Sequence, residues 1–391
     1  MSAQPVFLNW PAGNFSGWGI VGLNLLLHWA NDPDLRPLMG APITPNDIAG
    51  VDPLKIIAAR DAIVRSNQFQ NEVQRAKAGT RELPMTVVEG LGNGLYFPDG
   101  IRGTRTFGRC IFEDTRLDGL DEKLAKYDLL VCASHWNAGL LEANCRKAVR
   151  IVFEGIDPSL FCPGPKSGVL DRSRFYIFSG GKVEFRKGHD LVLLAFREFS
   201  RRHDDAVLVT VWHSPWPQLS AGFQGRLAAP LSLNREGAID VKSWVARNGV
   251  DPAKVIEIGQ VPNAMMPSIL REMDCALAPS RAEACTNLLA KEAMACGVPV
   301  ILAPNTGVKD LIAEGNSLAL TRQQPVRDYP HAGTEGWGES DVEEMLDSLE
   351  RLYSDTALRK KIGETGAGWL LGEGRTWSNH AKELKSLLLS L

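Results

Sequence analysis

Two carboxylates flank a helix start in Pro279 to Pro299, PSRAEACTNLLAKEAMACGVP. An apolar strand runs into a polar turn, and helical spacing begins near Thr286 and Asn287. The first N–H groups of a helix have no intrahelical acceptor, and the helix dipole is positive at that end, so the start is suited to an anion. Glu283 precedes the turn, and Glu292 lies within the helix. Carboxylates beside a phosphate repel it, but an ionised carboxylate accepts hydrogen bonds from neutral hydroxyls. A phosphate held between two hydroxyl-bearing groups describes a sugar nucleotide. The competing reading is an ordinary strand, turn and helix with glutamate near its start for dipole reasons.

A second segment, GGKVEFRKGHD (180–190), directly follows the apolar run FYIFSG. Gly180 and Gly181 allow backbone to approach a ligand closely. Lys182 and Lys187 place cations at a strand's C-terminal end, where they can offset the charge of a departing diphosphate. Arg186 taken alone reads as part of a solvated basic loop.

These segments need a scaffold that brings strand ends together. Short apolar runs alternate with helical patterns, the signature of parallel sheets with crossover helices. PVFLNW (5–10), MTVVEG (85–90), YDLLVCAS (127–134) and AVRIVFEG (148–155) read as strands, and residues 18–31 and 52–79 as helices. FYIFSG, AVLVTVW, KVIEIG, CALAPS and PVILAP form a second series with the unbroken apolar character of strands covered on both faces. Residues 157–173, rich in Pro, Gly and Ser, read as the linker. The expectation is α/β: two doubly wound, Rossmann-like domains facing a cleft, spanning residues 1–165 and 166–376, with 377–391 a helical tail that docks onto the rest.

Bulk properties narrow the function classes. At 391 residues the chain suits two domains, and a net charge of −3 gives no general attraction to nucleic acid. No stretch reaches the ~18 apolar residues of a membrane span. The seven cysteines are scattered without a Cys-x-x-Cys pair, which favours reduced thiols in a cytoplasmic protein. No acidic or histidine cluster has metal spacing, so no metal is expected. Asp32-Pro33-Asp34 has the form of a D-x-D metal site, but its proline-locked setting, NDPDLRP, reads as a turn.

Gly-Lys-Val-Glu-Phe-Arg-Lys-Gly (181–188) resembles the G-R-(three or four residues)-K-G segment of retaining glycosyltransferase family 4, the glycosyl transferases group 1. Residues 279–300 resemble that family's P-S-x-x-E…E-A-M-A-x-G-x-P-V block. Residues 154–163 (EGIDPSLFCP), 305–310 (NTGVKD) and 376–378 (TWS) resemble three further markers in the same order. The resemblance implies the GT-B fold, with the last helix crossing back to the first domain. It further implies a metal-independent hexosyltransferase using a nucleotide-sugar donor, UDP-hexose by family frequency. Lys182 and Lys187 would meet the diphosphate, Glu283 the transferred sugar, the N–H groups of Thr286, Asn287 and Leu288 a phosphate, and Glu292 the ribose. Two departures stand out. Lys182 replaces the usual arginine, and eight residues separate Glu283 from Glu292 where the family commonly has seven. The extra residue, worth ~100° of helix rotation, must be absorbed in the turn before Asn287.

Gly17-Trp18-Gly19-Ile20-Val21-Gly22 fits G-x-G-x-x-G and admits a dinucleotide site. Its approach from the first strand is long, however, and the required acidic strand end is missing. The resemblance gives Gly17 and Gly19 a place beside the donor diphosphate. Cys110 to Leu117, CIFEDTRL, resembles a family variant with Glu113 on the acceptor side; a carboxylate capping a turn is the alternative. His135 reads as structural. The rival readings are another GT-B enzyme (epimerase or phosphorylase), a nicotinamide-dependent oxidoreductase, and a non-catalytic sugar-nucleotide-binding module. The acceptor stays open among a glycan, a lipid-linked glycan and a small molecule, the lipid-linked case implying peripheral contact with a membrane face.

Overall fold

The computed structural model describes residues 3–79, 81–97, 100–327 and 329–390. The first half forms one parallel sheet from β1 (Gln4–Asn9), β2 (Leu35–Met39), β3 (Thr86–Leu91), β4 (Arg105–Cys110), β5 (Leu129–Cys132) and β6 (Val149–Ile151). Their order is β2-β1-β3-β4-β5-β6. The second half repeats the plan with β7 (Phe175–Lys182), β8 (Ala206–His213), β9 (Val255–Glu257), β10 (Cys275–Ala278), β11 (Val300–Leu302) and β12 (Leu318–Ala319). Here the order is β12-β11-β10-β7-β8-β9, so the winding reverses between β7 and β10. A crevice opens beyond the strand ends at such a reversal. An antiparallel ribbon of β13 (Gln323–Pro325) and β14 (Gly338–Ser340) stands apart from both sheets.

Side chains alternate across β7, which explains why its sequence is apolar throughout. Phe175 and Ile177 enter one core with Leu193 and Phe196, while Tyr176 and Phe178 enter the opposite core with Ala293 and Met294. Both faces are covered by helices.

The last helix, Trp377–Ser390, lies on the first half of the chain. Its Trp377, Ala381, Leu384 and Leu388 share a core with Val21, Leu25 and Trp29. Trp29 Nε1 donates to the Ala381 carbonyl at 3.2 Å. Lys385 Nζ spans Asp32 and Asp34 at 2.7 and 2.8 Å. Asp32-Pro33-Asp34 is therefore a turn clasped by a lysine. No described helix is long and apolar enough to cross a membrane.

β2 and β4 escape the sequence pattern, as do the short β12, β13 and β14. β2 carries Arg36 and Pro37, which made NDPDLRP read wholly as a turn; an edge strand tolerates a proline. β4 reads RTFGRC, and its Arg109 is only 1% exposed because Glu154 Oε1 lies 3.2 Å from its Nη2.

Leu384 is 1% exposed. Leu384→Ala should cost about 2–5 kcal/mol through lost burial and the cavity left behind. A denaturant melt should show this in the first unfolding transition, the one that releases the crossing helix.

Candidate functional site

Glu283 stands at the crevice between β7 and β10. Its backbone is fixed by the next turn of the second domain: its N–H donates to Thr306 Oγ1 at 2.9 Å, and its carbonyl accepts from Gly307 N at 3.0 Å. Its carboxylate is ringed by donors. Lys187 Nζ lies 2.7 and 2.8 Å from the two oxygens, and Arg186 Nη1 lies 3.0 Å from Oε2. Ser280 Oγ and Asn287 Nδ2 donate to Oε1 at 2.7 and 2.9 Å.

Burial pushes the Glu283 carboxyl upward, but the charges of Lys187 and Arg186 outweigh it and hold the group below its usual value. Burial also lowers the Lys187 ammonium, since Lys187 must share Glu283 with neighbouring Arg186. Arg186 meets three carboxylates. Besides Glu283, its Nη1 lies 3.2 Å from Glu113 Oε1 and its Nε 2.7 Å from Glu184 Oε2. Although burial disfavours its charge, Glu113, Glu184 and Glu283 raise its pKa further. Glu184, in turn, is pushed up by burial, but Arg186 and Lys182 hold it at about 2.

Arg186 therefore departs from the sequence expectation. Its side chain is 13% exposed and joins the second domain to Glu113 of the first. A basic residue beside a lysine gives no sequence sign of such a position. Lys182 is placed differently from Lys187: its Nζ pairs with Glu184 at 2.8 Å and lies 5.4 Å from the centre of the Trp216 ring. Gly181 has φ +118, which side chains rarely adopt, and a Cβ on Gly180 would lie 2.9 Å from Leu289. The two glycines thus let β7 run close beneath the site helix, Leu288–Ala295.

That helix starts at Leu288, with Asn287 as its cap at φ +58. Asparagine is a residue type that tolerates positive φ. Asn287 Oδ1 takes the Ala290 N–H at 3.2 Å. The N–H groups of Leu288 and Leu289 have no acceptor among the described residues. Thr286 and Asn287 lie outside the helix. A cavity of about 10 Å³ lies here, lined by Ser179, Gly180, Lys187, Ser280, Asn287 and Leu289 among others. It has room for about one water.

Glu292 belongs to a separate network. It is 1% exposed, Oε1 accepts from Asn263 Nδ2, and Oε2 has no partner among the described residues. Burial pushes its carboxyl up to about 8. The Asn263 N–H donates to the Asn14 carbonyl of the first domain at 2.8 Å, and Gln260 Nε2 to that of Phe15 at 3.1 Å. The glycine loop therefore meets the second domain through its carbonyls. Gly17 begins the following helix and is open to solvent, whereas the Gly19 N–H is taken by the capping Ser16 Oγ at 3.1 Å. Gly19 packs closely, since a Cβ there would lie 2.9 Å from the Gly13 carbonyl.

The domains also join around Glu113. Trp337 Nε1 donates to the Glu113 carbonyl at 3.0 Å, Gly333 N to Asp114 Oδ1 at 2.7 Å, and Arg116 Nη2 to the His331 carbonyl at 2.6 Å. His135 fills a similar role, with its Nδ1 2.8 Å from Asp310 Oδ1.

Residues 174–355 match the family model for glycosyl transferases group 1. This segment is a glycosyl transferases group 1 domain. D-inositol 3-phosphate glycosyltransferase of Segniliparus rotundus is 28% identical over 208 residues, covering 51% of this chain and 42% of that protein. The chain spans about half the length of the curated relatives it matches. Sucrose-phosphate synthase from Thermosynechococcus elongatus superposes with a TM-score of 0.66 at 15% identity, covering 98% of both chains. HepE of Anabaena, solved with UDP, gives 0.65 at 14% identity over 99% of this chain and 100% of that one. Both likenesses concern the fold, which is GT-B. The Glu283 cluster lies inside the group 1 domain, while Glu113 and the glycine loop come from the other lobe.

Glu184 contributes stability at pH values above its ordinary value of 4.5, and this is lost as pH falls through about 2. Glu184→Gln should therefore flatten the fall in melting temperature between those two pH values. An unchanged slope would remove Glu184 from the charge network.

Proposed function

We propose that the chain is a retaining glycosyltransferase that moves a hexose from a nucleoside diphosphate donor, UDP-hexose in the first instance, onto an acceptor hydroxyl. The observation that carries this reading is Glu283 held by Lys187 and Arg186 at the start of the site helix. Glu283 is the counter-ion of both cations. A diphosphate arriving at the helix start would take over Lys187 and Arg186, leaving Glu283 to accept hydrogen bonds from sugar hydroxyls. Fixed cations and helix N–H groups aimed at a leaving diphosphate stabilise charge where it develops. The unpartnered Glu292 Oε2 is available for a ribose hydroxyl. Glu113, facing Arg186 from the first domain, would stand on the acceptor side.

The bond from sugar C1 to the phosphate oxygen breaks, and one from C1 to the acceptor oxygen forms on the same face. The acceptor proton passes to the departing phosphate. The protein holds this geometry and excludes water. In support of a uridine donor, the HepE structure of the same fold was solved with UDP. A polyol or glycan hydroxyl suits the acceptor, the curated relatives being named for transfer involving inositol 3-phosphate. The oxidoreductase reading loses its footing, since the Gly19 N–H is occupied and β2 ends at Met39 without a carboxylate.

A thermal-shift panel of nucleotide sugars should raise the melting point with the true donor by mass action. With that donor and an acceptor, Lys187→Ala should lower kcat by roughly 10²–10³-fold with the fold retained. Near-native turnover by the folded variant would refute the assignment. Incubating donor alone separates this reading from epimerisation, which alters the donor without an acceptor.

A further inference from the structure

Lys291 is fully buried within the site helix, yet it forms no ion pair with a described residue. Its Nζ donates to the Glu154 carbonyl of the first domain at 2.8 Å and lies 3.4 Å from Thr286 Oγ1. Helical side chains lean toward the N-terminus, which brings this ammonium back beneath the helix start. A buried cation without a carboxylate partner is costly to desolvate, and the Trp377 ring, 5.8 Å from its Nζ, offsets only part of that cost. Nearby, Ser134 Oγ of the first domain donates to the Ala284 carbonyl at 2.6 Å, so the turn between Glu283 and the helix is tied to the first domain at two points.

We propose that Lys291 is a positioning residue of the anion site: it fastens the helix start to the first domain and adds positive potential beneath a diphosphate seated there. This rests on the donor reading given above. The surrounding groups agree with a cation whose intended counter-charge is a ligand. The Glu154 carboxylate is already engaged by Arg109 at 3.2 Å. Burial raises the Cys285 thiol well above its ordinary value and the Glu292 carboxyl to about 8, so neither supplies a full negative charge at neutral pH. Arg375 and Arg109 are cationic, and burial holds His380 neutral well below its usual range. Burial lowers the Lys291 ammonium to about 8, which leaves it mostly charged at neutral pH.

The experiment is calorimetric titration of the full chain with UDP, GDP and ADP at pH 7 to 9, comparing native protein with Lys291→Met and Lys291→Arg. The methionine variant should bind the preferred diphosphate roughly tenfold more weakly at pH 7, the loss expected from removing one nearby charge in a partly screened site. Its unliganded melting point should stay close to the native value, because relief of the buried cation's desolvation offsets the hydrogen bond lost at the Glu154 carbonyl. Native affinity should weaken as pH rises through about 8 more steeply than that of Lys291→Met, which keeps only the change from Glu292 ionising in the same range. Lys291→Arg should restore binding and carry it to higher pH. Native-like affinity in Lys291→Met would overturn the proposal, and so would weaker binding accompanied by a lowered melting point, which would mark a merely structural role. Native protein that binds none of the three diphosphates would refute the donor reading itself.

Discussion

One buried carboxylate sets the terms for the rest of the crevice. Removing Glu283 from water is expensive unless cations and hydrogen-bond donors replace the lost hydration. Lys187 and Arg186 from the loop after β7, Ser280 from the end of β10 and the capping Asn287 all converge on it. Its backbone is held by the turn at Thr306 and Gly307. Loops distant in sequence are thus fixed relative to one another by a charge that none of them could bury alone.

The same constraint explains the join between the lobes. Arg186 carries more positive charge than Glu283 can match while Lys187 shares it, and Glu184 and the first-domain Glu113 supply the remainder. The contact between the lobes is thereby tied to the electrostatics of the crevice. A ligand bringing its own negative charge would redistribute these partners, since paired charges in a low-dielectric crevice have few alternatives. The short contacts of Gly333, His331 and Trp337 with the 113–116 loop hold Glu113 beside Arg186.

Glu292 and Glu283 illustrate how one helix start serves two environments. Glu283 is surrounded by cations and kept ionised, whereas Glu292 faces one amide and is pushed toward its neutral form by burial. Asn287, at φ +58, closes the turn between them and caps the helix.

Much of this was written locally in the chain. The unbroken apolar runs from FYIFSG to PVILAP specify strands covered on both faces, and the polar turn with its following helix marks a helix start with free N–H groups. Lys187 and Glu283 were legible because their positions at strand ends follow from that pattern. β2 and β4 were not, since proline, arginine and glycine obscure an apolar run until neighbouring strands and a partner such as Glu154 are in place. Arg186, Asn263 and Lys291 likewise carry no local mark of burial: each acquires its role from a residue at least 29 positions away. Periodicity and backbone chemistry are properties of short segments and survive in the sequence. Burial and charge pairing exist only once distant segments meet, and so the tertiary structure alone decided them.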